Sequence, residues 1–429
     1  MSDQHTARGF GPPVTRRAAV TMGLAIAGGT LTAGPARPAY ASSPRQASPV
    51  ASSPGDHAET IIALAGEGLE TQHLNAVIVR VTIDGQEVVT AALGESMTGV
   101  PATTDMHFRN GAVAISYMST LLLRLVDQKA LALDDPLATW LPDLPDADRV
   151  TLRMLANMTA GYPDFVQNAE FQRAFYADPF RQWTTEERLA IAFSTPSLFA
   201  PGANWGYAHT NYLLLGQVLE MVGDKPLDVL LQEQVLAPMG LRNTVAWPTP
   251  EIPAPVLHAF SSERKETLGI PAGTRFYEES SFWNPSWSLA QGSIQTTDIV
   301  DMTTTAEAVG EGTLLSPESH QEQIAPKLLG FGVPLAGCAA CRTLNRDYGY
   351  GLGVVLSGAW ILQNPLFGGY GAIAASLPAR RIAIAVATTF GEESFDDQGN
   401  PRAGRASWEI FAAIGALLAP EDAPAATRR

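Results

Sequence analysis

Two side chains able to exchange protons near neutral pH sit two residues apart in Tyr207-Ala208-His209. A histidine titrates near pH ~6.5 and a phenol beside it adds a second donor or acceptor, so the pair has the chemistry of a general acid and base. A plainer role competes with this one: His209 as a hydrogen-bonding loop residue and Tyr207 as a packing residue. Nucleophiles are harder to place. Ser262 is the one serine with a lysine three residues on, in Ser262-Glu263-Arg264-Lys265. Its polar flanks put it in a hairpin or surface loop, not at the start of an apolar helix, where residues three apart share a face. The other lysines are Lys129, Lys225 and Lys327, and the chain has no G-x-S-x-G, H-E-x-x-H or glycine-rich phosphate loop. His57, His73, His107, His258 and His320 are scattered without metal-ligand spacing, so neither metal nor cofactor is expected. Cys338 and Cys341, the only cysteines, read as a short structural disulfide in a loop. Redox chemistry would want them at a strand-to-helix turn, and zinc would want two more ligands nearby.

The N-terminus suggests where such chemistry would operate. Thr15-Arg16-Arg17, an apolar run from Ala18 to Thr32 and Ala39-Tyr40-Ala41 together read as a twin-arginine export signal over residues 1–41. The run is shorter than the ~20 apolar residues a bilayer span needs, which weighs against an anchor, and no cysteine follows it to carry a lipid. Residues 42–56, rich in Ser, Pro and Ala, read as a flexible tether without fold. The chain carries 28 basic and 43 acidic side chains, a formal charge of −15, and loss of residues 1–41 makes it more acidic still. Such a surface disfavours nucleic acid and anionic membrane. The expectation is a secreted, soluble protein whose partner is a small-molecule or peptide-like ligand.

Residues 57–420 are expected to form one large domain, and 421–429 a disordered tail. His57–Leu69 has helical apolar spacing, and residues 75–94 read as two strands joined at Asp84-Gly85, a strong hairpin signal. Residues 112–129 make a long apolar helix. A mostly helical lobe is expected over about 130–250, then strands over 350–358, 369–376 and 381–389 and a closing helix over 403–418. Strands at both chain ends with helices between imply an α/β (α+β) fold: one antiparallel sheet assembled from both ends, flanking helices, and an inserted helical lobe.

Several stretches of this chain are specific in combination. Phe108-Arg109-Asn110-Gly111-Ala112-Val113-Ala114-Ile115 is followed by the apolar helix and Leu133-Asp134-Asp135-Pro136. Further on come Leu155 to Gly161, Pro201-Gly202 with Tyr207, Asn211 to Gly216, Pro238 to Leu241, Asn284 to Trp287 and Tyr350 to Gly353. Through nearly the whole chain after the export signal, these resemble the serine β-lactamase and penicillin-binding DD-peptidase family, in its class C and D-alanyl-D-alanine carboxypeptidase branch. The resemblance implies the β-lactamase/transpeptidase-like fold. It also implies a serine nucleophile at the start of the long helix and a lysine one turn later to take its proton.

Here those aligned positions hold Ala112 and Ile115, which can neither attack a carbonyl nor move a proton. The family's Tyr-x-Asn aligns with Tyr207-Ala208-His209, and its strand motif of His or Lys, any residue, then Gly aligns with Gln363-Asn364-Pro365. The proline removes a backbone N–H and demands edge or bulged geometry. Three altered motifs favour a pseudoenzyme that binds without cleaving. One alternative is an enzyme of another mechanism, such as an elimination, isomerisation or cyclisation, with Tyr207 and His209 as acid and base. A second is a residual hydrolase with a displaced nucleophile, for which Ser116, one turn beyond Ala112, is the candidate, although a serine there more often bonds the carbonyl four residues back. The resemblance lines the cleft with Asn110, Ser116, Trp205, Ser286, Trp287, Gln363 and Tyr370.

Overall fold

The computed structural model describes residues 54–247 and 249–426. Helix α1 (Pro54–Thr71) leads into strand β1 (Leu74–Ile83), which turns at Asp84-Gly85 into β2 (Gln86–Met97). Both turn residues have positive φ, +53° and +71°, the backbone of a turn whose twist matches that of the strands it joins. Helix α1 starts inside the 42–56 stretch expected to be without fold. Proline suits a helix start, where its missing N–H has no partner to lose. The export signal and the rest of the tether lie outside the described residues.

Helix α2 (Val113–Asp127) is buried on nearly every side, as its almost unbroken apolar sequence requires. The lobe follows with short helices at Leu152–Ala156, Ala169–Ala177 and Thr185–Ala192, then the longer α3 (His209–Gly223) and a short helix at Leu227–Leu231. Beyond α4 (Ile299–Glu311) come β3 (Val355–Ser357), β4 (Trp360–Gln363), β5 (Leu366–Phe367), β6 (Tyr370–Leu377), β7 (Ile382–Phe390) and α5 (Ala406–Leu418). In the sheet, β1 lies between β2 and β7, pairing antiparallel from Ala76↔Thr389 to Ile83↔Ile382; β6, β4 and β3 continue outward and β5 pairs with β6. The sheet is thus closed by strands from both chain ends. Helices α1 and α5 pack on each other and on the sheet, and α4 packs on β1, β6 and β7. Every residue of β6 and β7 is buried, the pattern of strands covered on both faces.

Two local expectations change, and the one at Pro365 takes its edge form, since β5 pairs with β6 alone. Asn364-Pro365 interrupts the ladder between β4 and β5 without a bulge: Gln363↔Ala374 and Leu366↔Gly371 keep one register across the gap. Pro365 O still accepts from Ala372 N at 3.0 Å, and the Ala372 carbonyl accepts from Ser407 Oγ at 3.3 Å, so a hydroxyl replaces the N–H that proline lacks. Ser262 and Lys265 lie in the connection of a small hairpin (Phe260–Ser261 with Glu278–Glu279), as expected, but both are buried, with Lys265 Nζ donating to Asp397 O at 2.8 Å. The segment 421–426, expected to be disordered, is docked: Asp422 O accepts from Trp360 Nε1 at 2.7 Å and Ala425 O from Trp408 Nε1 at 2.8 Å. Two indoles in an apolar core need acceptors, and the tail's backbone supplies them. Among the described residues no helix is long and apolar enough to cross a membrane.

Candidate functional site

The N-terminus of α2 opens into a cleft of about 250 Å³ between the lobe and the sheet. Gly111 turns the chain into that helix with φ +49°, a backbone that favours glycine, and a Cβ there would come within 2.6 Å of Pro365 Cβ. Ala112 caps α2 and lines the cleft with Tyr207, His209, Gln363, Asn364 and Pro365, so the three aligned motifs meet around one space. Ile115 does not join them, being 0% exposed within the core. Ser116 is also turned away. It is 2% exposed, its Oγ donates to Val113 O at 2.7 Å, and it lies toward Thr305 and Val354. That bond runs back three residues, not the expected four.

The lobe wall is built by the start of α3. Asp164 Oδ1 accepts from the His209 backbone N–H at 3.2 Å, and the two carboxylate oxygens lie 3.1 and 3.2 Å from His209 Nδ1. The carboxylate side chain is 5% exposed and the imidazole 17%. A carboxylate against Nδ1 holds the proton there, which makes Nε2 the nitrogen able to accept one. Tyr207 meets the imidazole edge-on with centroids 5.2 Å apart, and Trp287 lies tilted at 6.2 Å. The sheet wall is quieter: Gln363 Nε2 donates to Gly353 O at 2.5 Å.

Of the residues expected to line the cleft, Trp287 and Gln363 do so. Asn110 is buried beneath it, exchanging hydrogen bonds with Gln295 at 2.6 and 3.0 Å and so fixing the approach to α2. Trp205 is core, packed on Tyr348 and Tyr350. Ser286 faces the other side of its loop, accepting from Trp183 N at 2.8 Å. Tyr370 is buried and donates to Leu257 O at 2.5 Å. Sequence reasoning missed Asp164, which lies 45 residues before His209 and carries no spacing signal. It also set aside the cysteines. Cys338 and Cys341 form a disulfide whose loop reaches the cleft through Ala340 and packs on Gly206, where a Cβ would stand 3.0 Å from Cys341 Sγ. Among the described residues no group of three or more His, Cys, Asp or Glu could hold a metal ion.

A family model described as Beta-lactamase matches residues 61–407. The chain belongs to the beta-lactamase family. Within it, a 179-residue stretch is 29% identical to the D-alanyl-D-alanine-carboxypeptidase/endopeptidase AmpH of Escherichia coli, covering 40% of this chain and 45% of that one. A 162-residue stretch is 30% identical to esterase EstB of Burkholderia gladioli, covering 35% and 41%. The chain thus spans less than half the length of these relatives. The D-amino acid amidase of Ochrobactrum anthropi SV3 complexed with D-phenylalanine superposes with a TM-score of 0.66 over 83% of this chain and 99% of that one, at 20% identity, a likeness of fold. On this beta-lactamase-family scaffold the floor of the cleft is the Ala112 methyl, and the polar residues around it are Tyr207, His209 with Asp164, Gln167, Ser288, Tyr348, Gln363 and Asn364.

Proposed function

We propose that this chain is an exported β-lactamase-fold pseudoenzyme that holds a peptide-like or small-molecule ligand in the cleft above Ala112 without forming an acyl-enzyme. The observation that carries the reading is the floor of that cleft: a methyl group stands where the family resemblance puts the nucleophile. Ile115 and Ser116 both point elsewhere, which leaves no displaced hydroxyl or amine of α2 beside Ala112. Losing members of a concerted catalytic unit forfeits most of its rate while leaving binding in place. The carboxypeptidase name of AmpH and the amidase name of the Ochrobactrum anthropi enzyme support a ligand with peptide-like or amide character. The test is steady-state kinetics with a chromogenic β-lactam, p-nitrophenyl esters and a D-alanyl-D-alanine peptide. No turnover above buffer is expected, and turnover that a single serine substitution abolishes would overturn the reading.

One observation favours a second reading, an enzyme of another mechanism. The Asp164–His209 contact orients an imidazole with Tyr207 beside it at the edge of the same cleft. Such a pair suits proton transfer in an elimination, isomerisation or cyclisation, none of which needs a covalent intermediate. A reaction found for the protein and abolished by both His209→Ala and Tyr207→Phe would decide for this second reading.

A further inference from the structure

Beside the cleft, and sharing Trp287 and Phe367 with it, lies a second cavity of about 160 Å³. Its wall is aromatic. Phe175 stands edge-on to Trp283 at 5.8 Å and tilted against Trp287 at 5.2 Å, and Tyr176 meets Trp283 at 6.4 Å. Ring faces carry negative potential and attract cations. Glu263 lines the same cavity, with its carboxylate accepting from Ser261 Oγ at 2.8 Å and Tyr176 OH at 3.3 Å. A carboxylate has about four lone-pair sites, so two hydroxyls leave acceptor capacity open.

Two of the cations nearby are held elsewhere. The Arg264 guanidinium pairs with Glu278 at 2.9 Å, and Lys265 Nζ donates to Asp397 O at 2.8 Å. Arg109, which also lines the cavity, donates to the neutral carbonyls of Pro250 and Glu251 and, among the described residues, forms no ion pair, so it is the one positive charge in the wall. Among the described residues Glu263 forms no ion pair. Burial pushes its carboxyl above the ordinary range, as expected of an acid without a countercharge. A purely apolar guest would fill the rings and leave that acid unpaired. A metal ion would find a single carboxylate and share the cavity with the Arg109 guanidinium.

We propose that this aromatic compartment is a binding site for the ammonium group of a ligand, with Glu263 as its counterion. The proposal rests on the adjoining cleft being a ligand site, and it names the ligand class: a molecule with a primary or quaternary ammonium head and a neutral or amide-like remainder that extends past Trp287 toward Ala112. The rings strip water from the cation and replace it with π faces, while the carboxylate supplies the charge.

The test titrates the full-length protein with choline and with its uncharged isostere 3,3-dimethylbutan-1-ol, following tryptophan fluorescence, since Trp283 and Trp287 form the wall, and confirming by calorimetry. Choline is expected to bind saturably, and the isostere at least roughly tenfold more weakly. Glu263→Gln, which keeps an acceptor for Ser261 and Tyr176, is expected to weaken choline at least roughly tenfold and to narrow the difference between the two probes to the share the rings supply. The comparison of the two probes on the unaltered protein needs no variant to fold. No saturable choline binding, or equal affinity for the isostere, overturns the proposal. Choline binding together with formation of a covalent adduct with a β-lactam would leave the ammonium site standing and remove the non-acylating reading.

Discussion

Placing a lysine at position 115 restores on paper the proton acceptor that the family resemblance expects, and the structure says what it would cost. Ile115 is 0% exposed. Ile115→Lys would forfeit about 1.5–3 kcal/mol of apolar burial. It would also force an ammonium into that site, and full burial lowers a lysine pKa by roughly 3–5 units, or about 4–7 kcal/mol. Together these rival the ~5–15 kcal/mol stability of a whole domain. The pH dependence identifies the cause. A lysine whose folded pKa is depressed binds its proton more tightly in the unfolded chain, so the loss is greatest below the folded pKa. It shrinks by about 1.4 kcal/mol per pH unit as the pH rises toward the unfolded value near ~10.4. Urea unfolding of Ile115→Lys at pH 7 and pH 9 should therefore show a severe loss with roughly 2–3 kcal/mol regained at the higher pH. Ala112→Ser, at the floor of the cleft, should stay within about 0.5 kcal/mol of the parent. A variant that unfolds like the parent at both pH values, with a lysine titrating normally by NMR, would refute the reasoning and show that position 115 opens onto the cleft.

Arg153 binds Asp134 at 2.7 Å and Glu322 at 2.5 Å. Its hydrogen bond is the main reason the Asp134 carboxyl lies below the ordinary range, while Glu322 is lowered first by Lys327 and then by Arg153. Depressed carboxyls stabilise above their unfolded pKa and stop doing so as pH falls through the folded one. Arg153→Met should thus cost roughly 0.5–2 kcal/mol at pH 7 in urea unfolding, and the cost should fade below pH ~4. Ser407→Ala strips the buried Ala372 carbonyl of its side-chain donor and should cost about 1–3 kcal/mol by the same method. Truncation after Pro420 removes the acceptors of two indole N–H groups, and calorimetry should show a melting temperature lower by several degrees.

The fold was legible because its signals are local and repeated: Asp84-Gly85 between alternating strands, the apolar run after Ala112, and strands at both chain ends. The site was legible only where the family motifs reach it. Ser116 lies one turn past Ala112, and an α-helix rises about 5.4 Å per turn, which carries a residue from the floor of the cleft into the core. Trp205 and Tyr370 have the size of cavity walls and of core residues alike, and nothing in a sequence separates the two. Trp287 faces the cleft while Ser286, its chain neighbour, turns to Trp183, a choice made by the loop's tertiary contacts. Asp164 meets His209 because the short turn Phe165–Gln167 and the start of α3 pack together, a pairing across 45 residues that no spacing rule encodes.

Whether the cleft forms a covalent bond to a ligand is read most directly from the intact mass of the protein. After prolonged incubation with a large excess of a chromogenic β-lactam, the spectrum should show the unmodified mass alone. A species heavier by the mass of one ring-opened β-lactam, mapped to a serine in or near the cleft, would overturn the non-acylating reading and show that an acylating hydroxyl remains.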